Sequence, residues 1–137
     1  MRSLPAAASC QEVEDMTTTA ARNHAVGQYG ETLAARHLVA EGMALLDRNW
    51  RCEQGEIDLV LRDGRTVVIC EVKTRSGRIG GTPHEAVTDI KVARLRRLAN
   101  RWLEEHGIAH LESRVDMVCV QLPRRGAAEV EHVRGIG

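Results

Sequence analysis

The chain has 137 residues, 19 basic and 19 acidic, with 43% hydrophobic and 28% charged residues, which is the make-up of one globular domain and not of a membrane span. A net charge of zero excludes a globally basic nucleic-acid binder, so any such footprint must be local. Phenylalanine is absent, and Tyr29, Trp50 and Trp102 are the only aromatics, which leaves an aliphatic core and excludes a row of base-stacking rings.

Residues 1–22 are rich in Ala, Ser and Thr with a short acidic cluster and no periodicity, and they read as a disordered tail before a single domain over 23–137. From Asn23 to Glu41, Val26, Leu33, Ala34 and Leu38 recur with helical spacing before Gly42. Met43 to Leu46 reads as a short edge strand. Two stronger strands follow, Glu56–Leu61 and Thr66–Lys73, joined by the hairpin signal Asp63-Gly64. Thr74 to Pro83 is a basic, glycine-rich loop. Thr82, Pro83 and Glu85 then form a helix-start signature, with Thr82 as cap and Glu85 closing a capping box. That helix runs to His106 on an apolar stripe of Val92, Leu95, Leu98, Ala99, Trp102 and Leu103, and Gly107 ends it. Arg114–Leu122 is an apolar strand, and Glu129–Val133 adds a weak edge strand. The order helix, three strands, helix, strand predicts an α/β fold, a mixed central sheet flanked by helices. The long helix between the Glu71 strand and the Arg114 strand predicts a parallel crossover.

Cys10, Cys52, Cys70 and Cys119 contain no CxxC pair, a pattern that suits a reducing compartment. No stretch reaches the apolar length of a bilayer span. Leu4 to Cys10 resembles a lipoprotein box, but no apolar signal region precedes it. The expected location is cytoplasmic, away from membranes.

Strand alternation places Glu56, Asp58 and Val60 on one face and Ile57, Leu59 and Leu61 on the other. In the next strand Glu71 and Lys73 share a face, opposite Val68, Cys70 and Val72. Charges beside such apolar runs must be paired or bound to a metal. Two arrangements meet that need. One is a structural ion pair of Lys73 with Glu71 or Asp58. The other is a hard-cation site in which Asp58 and Glu71 offer oxygens to Mg²⁺, with Lys73 assisting attack on a phosphodiester. Glu31 lies at the border of the first helix's apolar face, on the side of Ala34 and Leu38. Arg94, Arg97 and Arg101 share one face of the second helix, with Lys91 at its edge. Together with Arg75 and Arg78 of the loop they suit phosphate contacts, although a solvated helix face has the same composition. Trp50 reads as a core plug more readily than as a base-stacking ring. Asp116, beside Arg114 in an apolar strand, reads as a buried ion pair or a hydrogen-bonded acid.

Gly27-x-x-Gly30-Glu31, Asn49-Trp50-Arg51, Gly55-Glu56-Ile57-Asp58-Leu59, Glu71-Val72-Lys73-Thr74-Arg75, Ala86-Val87 with Lys91, and Arg114-Val115-Asp116 closely resemble the bacterial YraN family. That family is itself similar to Holliday-junction resolvases and other nucleases of the P-D…(D/E)-x-K type. The resemblance covers Asn23 to Val120. It implies a restriction-endonuclease-like αβββαβ core and Mg²⁺- or Mn²⁺-dependent cleavage of structured, branched or flapped DNA. By position, Asp58 and Glu71 match the metal-binding acids, Lys73 the catalytic lysine, and Glu31 the first-helix glutamate of junction resolvases. One departure is Ile57-Asp58, which lacks the signature proline. Junction resolvases act as dimers, so a homodimer is a further expectation. The alternative on the same fold is a non-catalytic nucleic-acid-binding or adaptor protein.

Overall fold

The computed structural model describes residues 19–77 and 88–137. Helix α1 (Thr19–Ala40) begins inside the stretch assigned to the tail; the remainder of that stretch, residues 1–18, lies outside the described residues. Its end is set by Gly42, at φ +107°. With Gly42 left-handed, the Met43 N–H reaches back to the Leu38 carbonyl, and Met43 and Leu38 are buried in one cluster. This is the Schellman stop, a hydrogen bond and an apolar contact made by the same two residues.

Strand β1 (Ala44–Cys52) is nine residues long, not the four expected over Met43–Leu46. It pairs antiparallel with β2 (Gly55–Asp63), with a bulge between Leu45 and Asp47. The β2–β3 hairpin forms where Asp63-Gly64 predicted it. Asp63 pairs with Thr66 across Gly64, at φ +62°, and β3 runs Thr66–Ser76. Thr74, Arg75 and Ser76, expected in a loop, are therefore strand.

Helix α2 (Asp89–Glu105) starts at Thr88, whose extended backbone (φ −123°, ψ 157°) and hydroxyl, accepting from the Lys91 N–H, cap it. The helix that packs on the sheet thus begins later than Pro83. The Thr82–Glu85 signature lies outside the described residues. Leu95, Leu98, Ala99, Trp102 and Leu103 are buried along α2, as its stripe required. Strand β4 (Ser113–Leu122) returns parallel to β3, as the crossover reading predicted, and β5 (Glu129–Val133) closes the sheet antiparallel to β4. The strand order is β1-β2-β3-β4-β5.

Each face of the sheet carries one helix and one apolar cluster. On the α1 side, Ala34, Ala35 and Leu38 pack against Leu59, Leu61, Val68, Cys70, Val118 and Val120. On the α2 side, Leu95, Leu98, Ala99 and Trp102 pack against Ile57, Val60, Val67, Ile69 and Val115. Asp116 is fully buried and is hydrogen-bonded as its sequence context suggested. Its carboxylate accepts from Arg114 Nε at 3.0 Å and from the Gly135 N–H at 2.9 Å, and it pairs with His132 Nε2 at 2.7 Å. No helix among the described residues is long and apolar enough to cross a membrane.

Helix α1 lies directly on β3 at Gly30. A Cβ built there would collide with the Thr74 side chain, whereas one at Gly27 would meet nothing within 4 Å. Thr74 is β-branched and held in a strand, so it cannot swing aside. Gly27→Ala is expected to raise stability by up to about 1 kcal/mol through helix propensity. Gly30→Ala is expected to lower it by roughly 1–3 kcal/mol through overpacking. Chemical denaturation of the two variants checks this, and equal shifts of the same sign would refute the close contact.

Candidate metal centre

The site depends on one irregular step shared by two strands. In β1–β2 the pairs Arg48↔Leu59 and Trp50↔Ile57 keep a common register, which sets Asn49 opposite Asp58, but the ladder skips that pair. Asn49 has φ +55°, the one non-glycine residue with positive φ among those described. Both chains change face across this step. Leu59 and Leu61 lie in the α1-side cluster, whereas Ile57 lies in the α2-side cluster with Val60 and against Trp50. The alternation expected for β2 therefore holds on either side of Asp58 and fails at it: Ile57 is parted from Leu59 and Leu61, and Val60 from Glu56 and Asp58.

At the switch, the Asp58 carboxylate turns toward β3. The β2–β3 ladder ends at Leu59↔Cys70, and Asp58 Oδ2 then accepts the Val72 N–H at 2.8 Å. A side chain takes over the next rung. Asp58 is pushed up to about 7, first by burial; the Val72 N–H opposes this, and the negative charges of Glu71, Glu31 and Glu56 add to it.

Ligand atoms of Glu31, Glu56 and Asp58 lie within 4.8 Å of one another. Glu31 is only 13% exposed, and Arg48 Nη2 stands 3.9 Å from its Oε1. That oxygen is buried and has no hydrogen-bond partner. Burial raises the Glu31 carboxyl above its ordinary value, against the lowering effects of Arg48 and Asn49. Glu56 receives Arg51 Nη2 at 2.6 Å. Three carboxylates converging on a half-dry position, one with an unsatisfied buried oxygen, fit a hard divalent cation that takes oxygen ligands.

The other site residues fall nearby but differently. Glu71 shares its face with Lys73, as expected, yet its Oε1 is held 3.0 Å from Lys91 Nζ and lies outside the three-acid cluster. Lys73 is exposed, not ion-paired with Glu71 or Asp58, and borders a groove of about 560 Å³ with Arg75 and with Asn23, Val26 and Gly27 of α1. Arg78 lies outside the described residues. On α2, Arg101 is committed to Glu53 and Glu105. Arg94 passes over Gly55, and Arg97 borders a second groove, of about 430 Å³, beside Gln54. Trp50 packs against the α2-side core. Sequence reasoning put Glu56 on the face of Asp58 and quoted Asn49 within the Asn49-Trp50-Arg51 motif, but gave neither a role. The signal for Asn49 was its residue type, since Asn tolerates left-handed backbone better than most side chains.

Comparison with known proteins agrees on one family. The sequence model described as "Uncharacterised protein family UPF0102" matches residues 30–120. The chain is similar to a UPF0102 protein of Nocardioides sp., 66% identical over 124 residues, covering 89% of this chain and 100% of that one. It is similar to UPF0102 proteins of Beutenbergia cavernae, 58% identical over 82% of this chain and 96% of that one, and of Streptomyces coelicolor, 57% identical over 82% and 88%.

The raised Asp58 carboxyl gives a signed prediction for the metal-free protein. The fold retains a proton that the unfolded chain releases near pH 3.8, so the stability tied to that proton is full below about pH 4 and lost as pH rises through about 7. Asp58→Asn keeps an oxygen to accept the Val72 N–H and removes the charge. In EDTA at pH 8 it should be more stable than wild type by roughly 2–4 kcal/mol, with a flatter profile between pH 4 and 7. Denaturation across that range measures it; a less stable Asp58→Asn at pH 8 would show that the charge is already compensated.

Proposed function

The chain belongs to the UPF0102 family, and we propose that it is a metal-dependent endonuclease acting on structured or branched DNA. The observation that carries this reading is that Glu31, whose buried Oε1 accepts no hydrogen bond, offers a ligand atom within 4.8 Å of those of Glu56 and Asp58. Compensated acids are ordinary in a fold. Incompletely compensated ones, pressed together and partly dried, favour a cation.

Glu31, Glu56 and Asp58 would hold Mg²⁺ or Mn²⁺. Such an ion supplies Lewis acidity toward a phosphodiester and lowers the pKa of water. The remaining work falls to the chain's own groups. The Val72 N–H fixes one Asp58 oxygen, leaving the other for the ion. Lys73, exposed beside the larger groove, offsets charge building on the phosphate. Arg94 and Arg97 have no ion pair with another described residue, and they present cations to a backbone that passes the β1–β2 turn. Arg101 and Lys91 are less available, each being held by an acid.

One observation favours the second reading, a non-catalytic nucleic-acid-binding or adaptor protein. Glu71, the acid of the Glu-x-Lys pair, is neutralised by Lys91 and does not join the cluster.

Labelled single-strand, duplex, flap, splayed-arm and four-way-junction DNAs, incubated with Mg²⁺ or Mn²⁺, separate these readings. Wild type is expected to cut at least one substrate. Asp58→Asn and Glu31→Gln should each lower the rate by about 100-fold or more, at the upper end of what loss of a supporting residue costs at a metal site. Lys73→Ala should lower it without weakening Mn²⁺ binding. Shape-dependent binding without cleavage would shift the assignment to the adaptor. No binding even at low salt would remove both nucleic-acid readings.

A further inference from the structure

A side chain with a Cβ loses roughly 1–2 kcal/mol in the left-handed region, and Asn is among the few that visit it. Such a conformation persists only where its surroundings impose it. Asn49 is imposed upon from three directions. Two residues before it, Asp47 accepts the Trp102 indole N–H of α2 at 2.9 Å. Its preceding neighbour, Arg48, donates to the Gln28 carbonyl of α1 at 2.8 Å. Trp50, on its other side, packs into the α2-side core. The chain is thus tied to one helix just before Asn49 and to the opposite core just after it. Asn49, at φ +55°, makes that crossing in a single step.

The crossing also delivers a polar side chain. Asn49 sits opposite Asp58 at the rung the ladder skips, and its amide favours the charged form of the neighbouring Glu31 carboxylate, whose Oε1 accepts no hydrogen bond. Glycine would permit the same backbone more cheaply, but it would bring no amide.

We infer that Asn49 is the positioning residue of the acid cluster: its left-handed backbone carries β1 across the sheet opposite Asp58, and its amide holds the Glu31 carboxylate in place for a divalent cation. This rests on the cation reading proposed above and adds a residue that touches neither the ion nor the DNA.

Two variants separate the backbone from the amide. Asn49→Gly removes the amide and relieves the strain; Asn49→Ala removes the amide and keeps the strain. Mn²⁺ affinity is measured by titration calorimetry at pH 8, and the melting temperature in EDTA. Both variants should bind Mn²⁺ about tenfold more weakly or worse, as loss of a residue supporting a metal ligand typically does. Their melting temperatures should diverge, Asn49→Gly matching or exceeding wild type and Asn49→Ala falling below it. If affinity instead follows stability, unchanged in Asn49→Gly and reduced only in Asn49→Ala, the residue serves the turn alone and the inference fails. A wild type that takes up no Mn²⁺ would overturn the cation reading itself, a result distinct from the first.

Discussion

The bond between the Asp58 carboxylate and the Val72 amide is the constraint on which the rest of this structure depends. A sheet continues by main-chain rungs, and here one rung is made by a side chain. To reach it, β2 must turn over at Asp58, and β1 must turn over with it at Asn49. That double reversal sends Ile57 and Trp50 to the α2 side and leaves Glu56 beside Glu31. Helix α1 can then approach to the depth set by Gly30 against Thr74, and Glu31, the next residue, is half-buried with it.

The fold contains a useful internal contrast. Asp116 is completely buried, yet every side of it is answered, by Arg114, by His132 and by the Gly135 amide. His132 in turn meets Glu41 at 3.3 Å, and Arg114 meets Asp63 at 3.0 Å. That network ties β4 and β5 to the end of α1 and to the β2–β3 turn. Glu31, Glu56 and Asp58 are less buried but poorly answered: Arg48 stands off at 3.9 Å, and Arg51 engages only Glu56. A chain able to compensate a deep acid so completely at one place has left three shallower ones crowded at another. That difference is the support for the site proposed at the second group.

Much of this was legible in the residues, and the failures have physical causes. The faces of β3 followed from strict alternation because its ladder to β4 is unbroken from Val67 to Ser76. In β2 the same count failed at one residue, since a period of two assumes that no side chain enters the ladder. Strand β1 was read too short because its apolar signal stops at Leu46. As an edge strand it continues by main-chain pairing through the polar Asp47–Cys52 stretch. The arginine stripe of α2 was visible, but spacing along a helix carries no information about partners across the fold, such as Glu53 for Arg101. Glu56 was on the right face in the sequence; what made it significant, the proximity of Glu31, is a tertiary fact. The family resemblance read from the ordered motifs agrees with the match over residues 30–120.

The parallel pairing of β3 with β4 has a consequence for how the molecule forms. Val67 meets Ser113 and Ser76 meets Leu122, so each rung joins positions about 46 apart in the chain, whereas the β1–β2–β3 meander closes through short turns. Loop closure must be met before long-range pairing is rewarded, which favours the meander as the earlier-forming unit. The meander already contains Glu56, Asp58 and the Val72 amide. The juxtaposition of Glu56 and Asp58 is therefore built into the locally closed part of the chain, and Glu31 joins it when α1 packs on the sheet.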